Sequence, residues 1–286
     1  MRRRFFVDEF ANGTARLAGE AAHHLGRVLR AEPGQLYELS DGHTVHLAKV
    51  ERVAAEEVTF SLISPVEAPE SSLRVTLLLA IVKFDRFEWA LEKAVELGTE
   101  FIVPVAAARS EPNLIAAAPK RAERWRRIIR ESAQQARCRR LPELLPLARA
   151  IDAFRPAPSG EIRTPEIRAG QITTGQITTD QIATEEIRVL LSERSAAAPL
   201  RHAFAAAGNE SVSQPSPAIA PLRQAGLPAV SVKLFLAVGP EGGWTDSEFS
   251  AATSAGFVEA SLGGNILRTE TAVAAGLAAA HLYFDV

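Results

Sequence analysis

Hydrophobic and polar positions alternate with two different periods along this chain, and the switch between them divides it in two. Up to residue 63 the period is mostly two. Phe5-Phe6-Val7 predicts a short strand, residues 35–39 and 44–50 each alternate, and residues 58–63 predict a further strand. Between the alternating runs lies Ser40-Asp41-Gly42, an Asp-Gly signal for a tight hairpin turn with both central residues at positive φ. Residues 20–30 instead place Ala21, Leu25, Val28 and Leu29 at helical spacing. Residues 64–72 carry two prolines among small polar residues and read as a linker.

Beyond the linker, strand-like and helix-like patterns take turns. Residues 73–82 are nearly all apolar, as a strand covered on both faces must be. Residues 85–97 gather Phe87, Leu91, Ala94 and Val95 into one stripe, with Gly98 placed to end the helix. Strands are then expected at 100–107, 187–191, 232–238 and 257–262. Helices are expected at 120–137, 196–207, 246–255 and 271–284. The buried side of 120–137 is supplied by Trp125, Ile128, Ile129 and Ser132. Such alternation predicts a parallel sheet with right-handed crossovers. The expected fold class is therefore α/β, with a small β-rich domain over 1–68 and a larger domain over 73–286.

Two segments break the rhythm. Residues 161–187 repeat every five residues, with isoleucine at 162, 167, 172, 177, 182 and 187. A period of five collects on neither a helix face nor a strand face. Residues 208–228 are rich in proline, glycine and serine. Both read as insertions, at about 156–186 and 208–228, without a catalytic role.

Composition narrows the function. A chain of 286 residues suits two ordinary domains. The single cysteine, Cys138, excludes an internal disulfide and a cysteine-rich zinc site, and His43 with His46 offer too few ligands for a metal. No apolar run reaches the ~18 residues of a membrane helix. The basic start, Met1-Arg2-Arg3-Arg4, has no signal-type apolar core behind it, so a cytoplasmic protein without a membrane or metal partner is expected. The net charge of −2 hides a sharp asymmetry. Between Lys120 and Arg140 lie nine basic residues against Glu123 and Glu131. Arg3, Arg4 and Arg27 near the start, with Arg126, Arg127, Arg130 and Arg137, are the candidates for contact with nucleic-acid phosphates. A solvated helix face is the alternative.

Chemistry concentrates in glycine-bearing turns after the C-terminal strands, where open α/β sheets bind ligands. Gly239-Pro240-Glu241-Gly242-Gly243 follows an apolar run directly, and Thr245 with Glu248 forms a capping box that starts the next helix. The turn is neither a dinucleotide fingerprint nor a phosphate loop, for it lacks the required glycine and Gly-Lys-Ser/Thr spacings. The second turn is Leu262-Gly263-Gly264-Asn265-Ile266-Leu267-Arg268-Thr269-Glu270-Thr271-Ala272. Its apolar walls and free backbone groups suit an adenine; an ordinary loop with Arg268 and Glu270 paired on the surface is the alternative.

Together these turns resemble the C-terminal signature of the ribosomal RNA small-subunit methyltransferase E family. The likeness extends to Lys83, to Glu92-Lys93-Ala94 with Glu96-Leu97-Gly98, to Pro104, Arg109-Ser110, Gln135 and Pro142, and near the start to Arg3-Arg4-Phe5-Phe6 and His23-His24-Leu25-Gly26-Arg27-Val28-Leu29-Arg30. It covers nearly the whole chain apart from the insertions. Family members carry a small residue and Gly-Arg after the glutamine, where this chain has Ala136-Arg137-Cys138-Arg139-Arg140. The resemblance implies a PUA-like β-barrel domain, a SPOUT domain with a trefoil knot, and a homodimer with cofactor pockets near its interface. It also implies S-adenosyl-L-methionine as cofactor and methylation of uridine N3 in 16S ribosomal RNA of the small subunit. Leu191, Gly239, Gly242, Gly243, Leu262, Gly263, Ile266, Leu267 and Ala272 are the expected cofactor-binding residues. Glu241, Arg268 and Glu270, with Arg30 from the N-terminal domain, are the expected catalytic groups that take the N3 proton or stabilise the resulting anion. Glu241 has a second reading, as a brace that accepts backbone hydrogen bonds within its turn. Cys138 as a nucleophile on uracil C6 is disfavoured, since N3 methylation needs no covalent adduct. Two rival functions stay open: another SPOUT RNA methyltransferase acting on a ribose 2′-hydroxyl or a tRNA base, and a non-catalytic RNA-binding ribosome-assembly factor.

Overall fold

The computed structural model describes residues 3–67, 71–155, 184–194, 196–207 and 231–284. The pentad tract up to residue 183 and the segment 208–228 lie outside the described residues.

The N-terminal part is one sheet of β1 (Arg4–Phe6), β2 (Phe10–Ala11), β3 (Thr14–Ala18), β4 (Leu36–Ser40), β5 (Val45–Val53) and β6 (Glu57–Pro65), in the spatial order β1-β4-β5-β6-β3-β2. Only β1 and β4 run parallel. Edge strands β1 and β2 do not pair with one another, so where a barrel was expected the hydrogen bonding is that of an open sheet. Phe5, Leu17, Leu25, Leu39, Val50 and Phe60 form its core. The tight hairpin turn with two positive φ values sits at Asn12-Gly13 (φ 50° and 73°), joining β2 and β3, strands beyond those expected from the sequence. At the expected Asp-Gly turn only Gly42 has positive φ. There the Asp41 carboxylate accepts the backbone N–H groups of His43 (2.8 Å) and Thr44 (2.7 Å), which holds a wider loop. The helix expected over 20–30 is a short α1 (Gly19–His23) that loosens into a π-helical turn, His24–Val28, before Arg30 turns the chain at φ 51°.

The C-terminal part is an all-parallel sheet. Its strands are β7 (Leu73–Ala80), β8 (Thr99–Ala106), β9 (Glu143–Leu144), β10 (Ala148–Arg149), β11 (Thr184–Leu191), β12 (Ala198–Pro199), β13 (Ser231–Val238) and β14 (Val258–Ser261). They lie in the order β10-β8-β7-β13-β11-β14-β12, with β9 beside β8. β11 starts at Thr184, so the end of the pentad tract is already strand. Helices α2 (Phe84–Glu96), α3 (Pro112–Ala136), α4 (Ala150–Ala153), α5 (Leu200–Ala207), α6 (Asp246–Ser254) and α7 (Thr269–Phe284) join and cover the strands. The apolar run over β7 is explained by burial on both faces. Leu77 and Leu79 pack with Phe87, Leu91, Trp125 and Leu277, while Leu78 and Ala80 pack with Phe154, Trp244 and Phe257. Each such large side chain contributes about 1.5–3 kcal/mol by leaving water. No helix among the described residues is long and apolar enough to cross a membrane.

Helix α3 starts at Pro112 rather than at Lys120, because a proline at the first turn sacrifices no hydrogen bond and Ala116, Ala117 and Ala118 favour the helix; Pro119 is carried inside it. It ends at Arg137, left-handed at φ 58°. The N-terminal sheet is pinned to that end. Glu38, 5% exposed, accepts Arg4 (Nη2 at 2.9 Å, Nε at 3.2 Å) and also Arg137. Arg4 Nη1 donates to the Arg137 carbonyl at 2.5 Å, and the Ser40 hydroxyl to that of Arg139 at 2.5 Å. Arg139 and Arg140 donate to the carbonyls of His43 and Gly42. Arg4, only 5% exposed, is thereby removed from the set of expected phosphate contacts, and Arg137 has its charge matched by Glu38. Positive charge in a sequence does not distinguish a solvent-facing arginine from one that staples two domains.

Candidate active site

The register of the parallel sheet assembles the site. Leu190 is level with Ala237 and Leu191 with Ala260, so β13, β11 and β14, adjacent in that order, end flush. The chain leaves each of them through a turn at the same edge, and the three turns enclose a cleft of about 280 Å³. Leu191, Leu262, Leu267 and Ala272 give it apolar walls. Gly239, Gly243, Gly263 and Gly264 give it bare backbone, and Ile266, 76% exposed, stands at its lip. Such a surface suits a flat apolar ring whose edges hydrogen-bond to main-chain groups.

Specific bonds fix the turns against one another. The buried Trp244 indole donates to the Leu191 carbonyl at 3.2 Å, tying the turn after β13 to the end of β11. The Thr269 hydroxyl donates to the Gly239 carbonyl at 2.9 Å, tying the same turn to the start of α7. Within the turn the Gly243 N–H donates to the Pro240 carbonyl at 2.8 Å. Each glycine has its own reason. A Cβ on Gly239 would lie 3.0 Å from the Trp244 indole, one on Gly242 3.3 Å from Arg109, and Gly243 sits at φ 69°. The expected capping box is present: Thr245 and Glu248 cap α6 reciprocally. The buried Glu248 carboxylate also accepts the Ala108 N–H at 2.8 Å, which anchors the loop after β8 beside the site.

That loop brings Arg109, whose Nη1 donates to the Gly242 carbonyl at 2.6 Å and whose side chain also lines the cleft. In the sequence Arg109 is marked only by the family resemblance, together with Ser110; nothing in its local pattern shows that it crosses to the glycine turn. Arg194 and Glu193, after β11, line the cleft too, with Arg194 stacked 3.7 Å over the Phe249 ring and paired to Asp246.

Eight of the nine expected cofactor residues line the cleft; Gly242 instead faces a neighbouring concavity through the other side of its turn. The expected catalytic groups are placed differently. None of Glu241, Arg268, Glu270 or Arg30 is among the residues lining the cleft. Glu241 accepts Arg86 Nη1 at 2.5 Å, so its partner is a side chain from α2 and not the backbone of its own turn. Arg268 is exposed between two lining residues, Leu267 and Thr269. Glu270, in the first turn of α7, keeps one carboxylate oxygen buried without a partner. Arg30 is exposed on the N-terminal sheet's side of the chain. Cys138 lies apart, its thiol directed at the Val95 carbonyl at 3.6 Å and its pKa pushed up by burial, which suits a packed thiol better than a nucleophile. His46 packs edge-on against Phe10 at 4.8 Å. Of the expected phosphate contacts, Arg3, Arg27, Arg126, Arg127 and Arg130 are exposed; Arg126 pairs with Glu123.

Comparison with known proteins places this cleft in context. A family model described as an RNA methyltransferase domain matches residues 69–163 and 159–281. The chain is similar to the ribosomal RNA small subunit methyltransferase E of Synechocystis sp., with 30% identity over 273 residues, 95% of this chain and 74% of that protein. It is 28% identical over 280 residues to the protein of the same name from Mycobacterium bovis, covering 96% of this chain and 89% of the relative. Among solved structures, the ribosomal RNA small subunit methyltransferase E from Neisseria gonorrhoeae, bound to S-adenosyl methionine, superposes with a TM-score of 0.72 at 28% identity, covering 99% of this chain and 98% of that one.

Proposed function

Because the chain belongs to the ribosomal RNA small subunit methyltransferase E family, we propose that this protein methylates N3 of a uridine in 16S ribosomal RNA of the small subunit, using S-adenosyl-L-methionine. The observation that carries the reading is the cleft built from three flush strand ends and lined by glycine backbone and leucine side chains. Its dimensions and lining fit an adenosyl group. Leu191, Gly239, Gly243, Leu262, Gly263, Ile266, Leu267 and Ala272 would hold it, and Arg109 supports Gly242 from behind. When bound, the cofactor supplies a methyl group on a sulfonium, already activated for displacement. The protein's task is then to align the uracil nitrogen, exclude water and take up the N3 proton.

For that proton we favour Glu270 among the four candidates: it opens α7 directly after Thr269, which lines the cleft, and one of its carboxylate oxygens has no hydrogen-bond partner. Arg268, at the cleft's rim, would stabilise the uracil anion. Glu241, held by Arg86, lines the neighbouring concavity instead, and Arg30 would act from an N-terminal RNA-binding domain of PUA-like type. The last strands β13 and β14 enter the sheet between strands laid down earlier, which supports a SPOUT-type knotted chain. We further propose a cytoplasmic homodimer.

The test is incubation of the protein with methyl-labelled cofactor and small-subunit ribosomal RNA or particles, followed by mass spectrometry of the nucleosides. 3-Methyluridine is expected; a ribose-methylated nucleoside or no product would overturn the proposal. In single turnover, Glu270→Gln should slow transfer by about 10²- to 10⁴-fold, while Glu241→Gln should stay within a few-fold of the parent. The reverse order would reassign the proton acceptor.

A further inference from the structure

A second concavity, about 350 Å³, lies against the other side of the glycine turn and shares Arg109 and Pro240 with the first cleft. It opens at the same edge of the sheet, between the ends of β7 and β8. Three cationic side chains line it: Lys83, Arg86 and Arg109. Two carboxylates line it as well, Glu111 and Glu241, and the second is already matched by Arg86. Two helices begin there. Lys83 is the N-cap of the 13-residue α2 and Glu111 that of the 25-residue α3, and neither has a side-chain cap, so the positive ends of both helix dipoles lie at the concavity. The second, independent observation is Ser110. It lines the concavity, is 6% exposed, and its hydroxyl is buried without any hydrogen-bond partner. Buried hydroxyls are normally satisfied, so an unpaired one in a concavity that Lys83 also lines has a donor to spare for an anionic ligand.

We propose that this concavity is a phosphate subsite, which grips the backbone phosphate adjoining the nucleotide under modification and so sets the register of the RNA over the first cleft. This rests on the reading of the first cleft as the methylation site. Helix N-termini, a lysine point charge and a hydroxyl donor are the usual constituents of a phosphate cradle. Arg109 bridges the two sites: it supports Gly242 on one side and faces the phosphate on the other. A positioning role follows for Lys83 and Ser110, not a catalytic one.

The experiment uses the full chain and a fluorescein-labelled oligouridylate, with and without one neutral methylphosphonate linkage, read by anisotropy in the absence of any methyl donor. Lys83→Gln is expected to weaken binding about tenfold and Ser110→Ala several-fold, and the neutral linkage should cost the parent a similar factor while costing Lys83→Gln almost nothing more. In methylation assays both variants should raise KM for RNA with kcat and the Kd for S-adenosylmethionine unchanged. Ser110→Ala should not lower Tm, since it removes a group without partners. Unaltered RNA binding in both variants would overturn the proposal. So would a raised Kd for S-adenosylmethionine with RNA binding intact, which would give the concavity to the cofactor's own carboxylate. Because the anisotropy arm needs no methyl transfer, it decides the matter even if the parent protein leaves ribosomal RNA unmethylated, a result that would sink only the reading of the first cleft.

Discussion

At the scale of single residues the site depends on atoms that are missing. Gly243 combines a left-handed backbone with close quarters: a Cβ there would meet Glu193 Oε1 at 2.9 Å. Glu193 is exposed and its carboxylate can swing away, so the steric part is cheap, but the backbone part is not. Gly243→Ala should therefore lose about 1–2 kcal/mol of stability from the left-handed conformation, and more of its cofactor affinity than that loss alone explains, because the turn presents its backbone to the cleft. Urea unfolding beside calorimetric titration of S-adenosylmethionine checks both. An unchanged affinity would mean that the turn does not touch the ligand. Trp244 shows what sequence alone conceals. Its indole sets how near Gly239 must be and holds the Leu191 carbonyl across 53 positions of chain, yet its local pattern is only that of an aromatic residue after a glycine turn.

At the scale of elements, what was legible was whatever a local period encodes. β7 and α2 appear nearly where the apolar run and the stripe of Phe87, Leu91, Ala94 and Val95 put them, and Gly98 ends the helix at φ 73°. The capping box is readable because Thr245 and Glu248 stand three positions apart in the chain. Three features were not readable. The order β7-β13-β11-β14 depends on where crossovers pass, which no period records. The start of α3 is set by Pro112, while the interior Pro119 gives the opposite signal. Arginine-rich character gave no measure of direction: Arg121 and Arg124 fold back onto Glu88 of α2, and Arg137, Arg139 and Arg140 turn to the N-terminal sheet. What α3 leaves toward solvent is chiefly Arg127 and Arg130. Replacing both with alanine should weaken ribosomal RNA binding and flatten its dependence on salt, by about 1.5–2 units in the log–log slope, with the fold intact because neither side chain is buried. A slope equal to the parent's would show that this face of α3 never meets phosphate.

At the scale of the whole molecule, the two sheets act on one RNA only if they keep a fixed relation, and a small buried ion cluster holds it. Glu38 on β4 is flanked by Arg4 from β1 and Arg137 from the end of α3, and the link is completed by Arg4 donating to the Arg137 carbonyl. The two arginines exceed the one carboxylate in charge, so the arrangement is tolerable only while Glu38 is present. Glu38→Ala leaves Arg4 buried and uncompensated, and should cost about 3–5 kcal/mol. Arg4→Ala leaves Glu38 with Arg137, which is partly exposed, and should cost less. Removing Arg4 and Glu38 together leaves no unmatched charge in the interior, so the double variant should be more stable than Glu38→Ala alone. The three denaturation curves form a cycle in which a coupling of more than about 1 kcal/mol is expected for groups in contact. Methylation read beside stability separates scaffold from site, for the first cleft contains none of these residues. If the domains must be held together to place the RNA, the double variant should bind S-adenosylmethionine as the parent does while its KM for RNA rises. Full RNA affinity in a double variant whose two sheets are shown to move independently would mean that the N-terminal sheet contributes nothing to placing the substrate.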